Sequence, residues 1–289
     1  MSLRSNAIRL LMKRTLDFNK PLDEVRKDLE KIKIKRRIKQ TINVENVVIE
    51  KVPCTLIVPE GGSTDKIILY LHGGGYCLGI TDAVLQHAID FAEFTETTIL
   101  LLDYGLSPEE PYPVAIEQVK SVYSHCAKDR KICLLGESSG CGLALNLMVS
   151  LREQGVSQPR GAMLLTPFLD ASFESESNKT MAARDPFHVE DAFVIAKYYT
   201  RGLNPKDPWV SPLFHKVHDL APILLHVAEY DTLADDGRSL YKKLWQVGSV
   251  VEYREWRQMW HVFHMQYPLV PEAKTAFYLC REFILRNMQ

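Results

Sequence analysis

The stretch KICLLGESSG, residues 131–140, decides the fold that we predict for this chain. Its mainly apolar first half is typical of a buried strand, and helix-period residues follow at 143–152. A Gly-x-Ser-x-Gly motif between a strand and a helix is typical of a sharp turn that presents its middle serine as a nucleophile. Both glycines have a steric role, because a side chain at either position would collide with the neighbouring strand or helix. Ser139 is an alternative nucleophile, but Ser138 alone has glycine two positions before and two after it.

Apolar runs and helix-period segments alternate on both sides of this turn. The apolar runs lie at 66–72, 97–103, 131–136, 161–166, 222–228 and 250–256, with helix-period segments at 115–127, 143–152 and 239–247. The first five runs are nearly continuous, as is typical of strands covered on both faces. The alternation predicts an α/β fold with a mostly parallel central sheet, right-handed crossovers and helices on both faces.

Two further segments lie outside this alternation. Residues 1–40 are charged and helical in pattern, and eight Lys or Arg residues between 26 and 39 are interspersed with acids, which favours a solvated face over an anionic-surface site. Residues 170–212 hold a polar loop, a short helix near 189–199, and Pro205, Pro208 and Pro212. We predict N-terminal helices over 1–45 and one domain over 46–289, with an insertion at about 170–212 above one end of the sheet.

The composition excludes several classes of protein. The chain has 289 residues, 46% hydrophobic and 25% charged, with a formal net charge of −1, which does not favour nucleic-acid binding. The longest apolar run, 141–151, is too short to span a membrane, and the N-terminal residues lack the apolar core of a signal peptide. The six cysteines form no Cys-x-x-Cys pair or zinc spacing. We expect buried thiols in a reducing compartment, and therefore the cytoplasm.

A glycine-rich loop follows the strand at 66–72. The sequence His72-Gly73-Gly74-Gly75-Tyr76 lacks the Gly-Lys-Ser/Thr of a phosphate-binding loop. A loop without side chains offers backbone N–H groups to an oxyanion and lets a tetrahedral intermediate approach closely. We predict an oxyanion hole here, with a further donor from the amide of Ser139, directly after the nucleophile.

A serine nucleophile in this kind of turn works with an acid and a histidine as a catalytic triad, in the chain order Ser, acid, His. The acid and the histidine should therefore each follow a later strand. Asp231 comes directly after the strand at 222–228, whereas Asp235 and Asp236 come a helical turn later, where acids favour a helix N-terminus. We therefore predict Asp231 as the acid. After the strand at 250–256 two histidines, His261 and His264, compete for the role of base.

Several motifs together resemble the hormone-sensitive-lipase-like carboxylesterases of the α/β-hydrolase superfamily. They are HGGGY at 72–76, DYGLSPEEPYP at 103–113, GESSG at 136–140, DPWVSPLF at 207–214, AEYDTLADDG at 228–237 and HVFH at 261–264. They occur in family order and at family spacing, from about residue 45 to the C-terminus.

The resemblance implies a role for each matching residue. The nucleophile matches Ser138, the acid Asp231 and the base His261. The oxyanion donors match Gly74, Gly75 and Ser139, with Gly73 helping the turn, and the 1–45 helices and the 170–212 insertion correspond to a cap. Tyr104, Pro108 and Glu109 are expected to brace the loop behind the oxyanion glycines.

The chain departs from the family pattern at two motifs. Glu137-Ser138-Ser139 stands where the family usually has Asp-Ser-Ala, a change that we expect to be tolerated. His261-Val262-Phe263 replaces the usual His-Gly-Phe. The β-branched Val262 restricts the backbone conformations available directly after the expected base.

The resulting prediction is a serine carboxylesterase that needs no metal and no organic cofactor. Its partner is a small-molecule ester, with no nucleic acid and no stable membrane association, and the resemblance adds a homodimer as an expectation. We expect short acyl chains, about C2 to C6, because the insertion should close the pocket with side chains such as Phe173, Met181, Phe187, Tyr198 and Tyr199. Alternatives on the same triad are an amidase, an aryl formamidase or a lactonase. A more distant alternative is a non-catalytic small-molecule receptor.

Overall fold

The fold of the chain is built on one twisted sheet, seen in a computed structural model that describes residues 2–12, 17–34, 38–63 and 65–289. The described residues form an eight-stranded sheet in the order β1-β2-β4-β3-β5-β6-β7-β8. Strands β3 to β8 run parallel to their neighbours, while β1 pairs antiparallel with β2, and β2 with β4. The predicted mostly parallel α/β fold is confirmed.

Strands β3 to β8 match the six apolar runs of the sequence, and β1 and β2 precede them. Their bounds are β1 Ile42–Ile49, β2 Val52–Pro59, β3 Lys66–Leu71, β4 Thr98–Leu102, β5 Lys131–Ser138, β6 Gly161–Pro167, β7 Ile223–Ala228 and β8 Val251–Trp256. The central strands are buried almost throughout, as expected of strands covered on both faces. Strand β8 at the edge alternates in burial, which explains why its sequence is more polar.

Helices cover both faces of the sheet. Their bounds are α1 Leu3–Leu11, α2 Leu22–Lys31, α3 Asp82–Thr95, α4 Val114–Cys126, α5 Ser139–Glu153, α6 Glu176–Thr180, α7 Val189–Thr200, α8 Ala234–Gln246 and α9 Pro271–Asn287. One apolar core lies between the sheet and α4, α5 and α8. A second core lies between the opposite face and α3 and α9. No helix within the described ranges is long and apolar enough to cross a membrane.

The two N-terminal helices pack at different places. Helix α1 is held to α9, since the Ser2 amide and the Ser5 hydroxyl both donate to Glu272. Helix α2 buries Leu22 against the first core, and Val25 of the same helix is also buried. Two lysines of the basic segment, Lys27 and Lys31, are largely exposed and paired with acids of their own helix, as a solvated face requires. The rest of that prediction falls partly on residues 35–37, which lie outside the described residues.

Candidate active site

The turn at Ser138 has the strained geometry that its sequence predicts. Ser138 ends β5 with φ +48° and ψ −120°, a backbone conformation that non-glycine residues rarely adopt, and it is the N-cap of α5. A Cβ on Gly140 would lie 1.9 Å from the Leu71 carbonyl oxygen, and a Cβ on Gly136 would lie 2.7 Å from the Cys141 nitrogen. Glycine is therefore required on both sides of the serine, for the steric reason predicted from the sequence.

Three side chains from separate loops meet at this turn. The Ser138 hydroxyl lies 2.9 Å from Nε2 of His261, and Nδ1 of the same ring lies 2.9 Å from Oδ2 of Asp231. The other oxygen of Asp231 accepts the Leu233 amide at 2.7 Å. All three side chains are at most 8% exposed. The arrangement can pass a proton from the hydroxyl to the imidazole while the carboxylate holds the ring in one tautomer.

The surrounding charges favour the protonated form of His261. Burial lowers the pKa of this imidazole, but the charge and hydrogen bond of Asp231, with the charges of Asp185 and Glu137, oppose burial and raise the pKa above its ordinary value of 6.5. A base in this environment is stabilised as it takes up a proton. That is the electrostatic condition for proton transfer from a neighbouring hydroxyl.

The glycine loop after β3 lies directly against the serine. A Cβ on Gly73 would lie 3.1 Å from Cβ of Ser138, so the close approach depends on glycine. Gly74 and Gly75 have φ of +103° and +62°, in the left-handed region that glycine adopts without strain. The Gly73 amide already donates to Oε1 of Glu137 at 3.3 Å. The loop thus uses its first amide internally.

Glu137 is a buried acidic residue directly before Ser138. Its side chain is 3% exposed, and burial raises the pKa of its carboxyl. Besides the Gly73 amide, it faces Nδ1 of His87 at 3.7 Å. It therefore links the turn at Ser138 to the glycine loop, a connection that the sequence analysis did not predict.

The segment 103–113 supports the glycine loop, as predicted. The Tyr104 hydroxyl donates to the His72 carbonyl at 2.7 Å, and the two rings stack with centroids 4.2 Å apart. Glu109 and the Ser107 carbonyl bind Arg26 of α2. The Pro108 carbonyl accepts from Arg201 of the insertion at 2.7 Å. The bracing role of Tyr104 is confirmed, and this segment also contacts both the N-terminal helices and the insertion.

Asp235 and Asp236, the two alternatives to Asp231 as the acid, bind other groups. Asp236 accepts the Leu169 and Asp170 amides at 2.6 and 3.0 Å. Asp235 accepts the Ser177 amide at 2.8 Å. Both carboxylates therefore anchor the start of the insertion to α8, which is more specific than the general helix-terminus role expected from the sequence.

Asp185 is a site residue that the sequence analysis missed. It lies in the insertion, is 5% exposed, and accepts the backbone amides of His261, Phe187 and Thr232 at 3.3, 3.0 and 2.8 Å. Burial and the charge of Asp231 raise the pKa of Asp185, while the charge of His261 and the amide hydrogen bonds oppose this. The Phe187 ring packs on the His261 ring, with centroids 4.7 Å apart. An Asp-Pro pair inside a polar loop was the available signal, and it is too common to have identified this residue.

A mainly apolar cavity of about 350 Å³ opens in front of Ser138. The insertion contributes Phe187, Ala192 and Ile195, and the N-terminal segment contributes Met12, Phe18 and Leu29. Among the five side chains that the sequence suggested for closing the pocket, Phe187 lines the cavity. Tyr199 instead packs on Tyr76, with ring centroids 3.9 Å apart, and Phe173 packs on Phe168.

Comparison with known proteins identifies the family of this chain. Residues 68–265 match the family model described as alpha/beta hydrolase fold. The chain is similar to an esterase of Acinetobacter venetianus, with 34% identity over 76% of this chain and 75% of that protein. It is also similar to an acetyl-hydrolase of Streptomyces hygroscopicus, with 31% identity over 76% and 75% of the two chains.

A solved structure extends the similarity to nearly the whole chain. A crystal structure of an esterase from the bacterial hormone-sensitive lipase family superposes with a TM-score of 0.91 and 30% identity, covering 100% of this chain and 99% of that one. The chain belongs to the hormone-sensitive-lipase-like family of α/β-hydrolases. It is a carboxylic ester hydrolase, so the site described above has to be explained as that of an esterase.

Proposed function

We propose that the chain hydrolyses esters through a triad of Ser138, His261 and Asp231. The observation that carries the proposal is the continuous pair of 2.9 Å contacts from the Ser138 hydroxyl through the imidazole to the Asp231 carboxylate. Ser138 attacks the ester carbonyl while His261 takes its proton, and Asp231 stabilises the imidazolium. The imidazolium then protonates the leaving alcohol, and water, deprotonated by His261, hydrolyses the acyl-enzyme.

The negatively charged oxygen of each tetrahedral intermediate would accept hydrogen bonds from the amides of Gly74, Gly75 and Ser139. The glycine loop lies against Ser138, and the Ser139 amide is at the N-terminus of α5, where the helix dipole favours an anion. Gly73 has the orienting role, because its amide donates to Glu137. A single oxyanion donor is worth about 3–4 kcal/mol of transition-state stabilisation in known hydrolases.

The N-terminal helices and the insertion at 170–212 would act together as a cap on the domain that begins near residue 46. Both contribute side chains to the wall of the cavity, and both contact the segment 103–113 through Arg26 and Arg201. A cavity of about 350 Å³ lies at the small end of the range for ligand pockets. We therefore propose that the preferred substrates carry acyl chains of about C2 to C6.

The direct test is kinetic. Purified protein is assayed with p-nitrophenyl esters from C2 to C12 and with a matched p-nitroanilide, and Ser138 is titrated with an organophosphate reagent followed by mass spectrometry. The proposal expects stoichiometric labelling of Ser138 and turnover of esters well above turnover of the anilide. Turnover without labelling of Ser138 would contradict the triad, and faster cleavage of the anilide would favour an amidase.

A further inference from the structure

Asp185 connects the insertion to both loops that carry the rest of the proposed triad. Its Oδ1 accepts the His261 amide at 3.3 Å and the Phe187 amide at 3.0 Å. Its Oδ2 accepts the Thr232 amide at 2.8 Å, directly after Asp231. One carboxylate thus binds the main chain of the proposed base and the main chain next to the proposed acid, which follow the neighbouring strands β8 and β7.

The hydrogen bonds around Asp185 favour the ionised form of its carboxyl. Three backbone amides, which can only donate, point at its two oxygens, and the Thr232 hydroxyl lies 3.4 Å from Oδ2, so both oxygens act as acceptors. The charged groups that act on it are Asp231, which disfavours ionisation, and His261, which favours it. In return the Asp185 charge favours the imidazolium form of His261, together with Asp231 and Glu137.

Further contacts join the insertion to the His261 ring and to the loop that carries Asp231. Phe187, whose amide Asp185 binds, packs its ring on the His261 ring and lines the cavity. Nearby, Ser177 and Asn178 of α6 donate to the Thr232 carbonyl at 2.9 and 2.7 Å. The insertion therefore binds both the amide and the carbonyl of Thr232. Forming the wall of the cavity would not by itself require these contacts.

We propose that Asp185 is a positioning residue for ester hydrolysis, through which the insertion holds His261 and Asp231 in register and adds negative charge beside the imidazolium. The proposal rests on the triad proposed above. It gives the insertion a part in the chemical step in addition to its part in the pocket wall. Asp185 touches no reacting atom, so its loss should reduce kcat much more than it changes KM.

The test uses Asp185→Asn, which keeps the shape of the side chain but removes its charge and replaces one acceptor with an N–H donor. With kcat normalised to the number of sites titrated at Ser138, we expect kcat to fall on the order of 10- to 100-fold, the range for small displacements of a reacting group. KM for p-nitrophenyl butyrate should change less than about threefold. The midpoint of the acid limb of kcat/KM should move to lower pH by roughly 0.5 unit, since a charge that favours the imidazolium is gone.

The matched control is Asp236→Asn. Asp236 is also a buried carboxylate that accepts two backbone amides, but they belong to Leu169 and Asp170 and not to the main chain of His261 or Thr232. It should lower the free energy of unfolding and leave the acid-limb midpoint within about 0.2 unit. Asp185→Glu should restore part of the midpoint shift, because it restores the charge.

Three outcomes would overturn the proposal. They are a kcat per titrated site in Asp185→Asn within twofold of the parent, an unmoved acid-limb midpoint, and an equal midpoint shift in Asp236→Asn. If Asp185→Asn does not accumulate as folded protein, Asp185→Ser is measured in the same way. Failure of the triad itself would be distinguishable, because Ser138 would then not be labelled in the parent protein.

Discussion

Nε2 of His264 lies 3.2 Å from Nδ1 of His226, in the interior beside β7, whereas Nε2 of His261 lies 2.9 Å from the Ser138 hydroxyl. The two histidines that competed in the sequence therefore have different partners. The His264 ring also packs on Phe263, with centroids 3.9 Å apart, and burial lowers its pKa well below the ordinary value. A neutral, buried His264 supports the loop, which predicts that the two histidines respond differently to substitution.

His261→Gln should reduce kcat by on the order of a million-fold, because removing the base costs about as much as removing the nucleophile in a well-studied serine hydrolase. His264→Gln should reduce the free energy of unfolding by about 1–3 kcal/mol, since it disturbs a buried polar pair, with kcat per titrated site within tenfold of the parent. Steady-state kinetics and urea denaturation on both variants check this. A collapse of kcat confined to His264→Gln would reverse the assignment.

Ser138→Ala should abolish esterase activity, again by on the order of a million-fold in kcat, while the fold is kept. Ser139→Ala is the matched control. It retains the backbone amide and loses a hydroxyl that accepts the Tyr76 amide at 3.4 Å, so a reduction below about tenfold is expected. Circular dichroism confirms folding of both. Activity retained in Ser138→Ala and lost in Ser139→Ala would contradict the proposed nucleophile.

The pH dependence follows from the raised pKa of His261. The base must be neutral to accept the serine proton, and Asp231, Asp185 and Glu137 favour its protonated form against the effect of burial. As pH falls, kcat/KM should therefore decline with a midpoint above 6.5. A profile from pH 5 to 9 with p-nitrophenyl butyrate measures it, and a midpoint below 6 would contradict it. Asp231→Asn should lower both the midpoint and kcat, the latter by roughly 10⁴-fold.

The cavity predicts a peaked dependence on acyl length. Each methylene buried against the apolar wall gains about 0.8 kcal/mol, until the chain reaches the end of the cavity and must overpack it. We expect kcat/KM to peak between C2 and C6 and to show no jump when emulsified triglyceride is added. A peak at C10 or longer, or a jump in rate at the solubility limit of the substrate, would contradict this prediction.

Val262 occupies a backbone conformation that suits glycine. Its φ is +48° and its ψ is +34°, and its amide donates to the Thr166 hydroxyl at 3.2 Å. A β-carbon in this region costs about 1–2 kcal/mol. Val262→Gly should therefore be more stable than Val262→Ala by about 0.5–1 kcal/mol, the reverse of the usual order.

Urea denaturation of the two Val262 variants measures this difference. The matched control is Val247, a partly exposed residue with φ −95°, where the glycine variant should be the less stable of the pair. An alanine variant at Val262 equal to or more stable than the glycine variant would show that the left-handed conformation carries no cost.

Local pattern was sufficient to predict the sheet and the turn at Ser138. Strands buried on both faces require continuous apolar runs, so the predicted runs match β3 to β7 closely. The helix after the turn begins at Ser139, four residues before its predicted start at 143. Its first turn, Ser-Gly-Cys-Gly, has low helix propensity, and its conformation is imposed by the close packing of Gly140 on Leu71.

The sequence by itself determined the fold class, the turn at Ser138 and the position of Asp231 after β7, because each depends on residues close together in the chain. Local pattern left His261 and His264 in competition, and the resemblance favoured His261; the tertiary structure places His261 on Ser138 and His264 on His226, on either side of the left-handed Val262. It also brought Asp185 to His261 and Thr232, across 76 and 47 positions of sequence. Such contacts follow no local period and arise where loops from separate strands meet at one edge of the sheet.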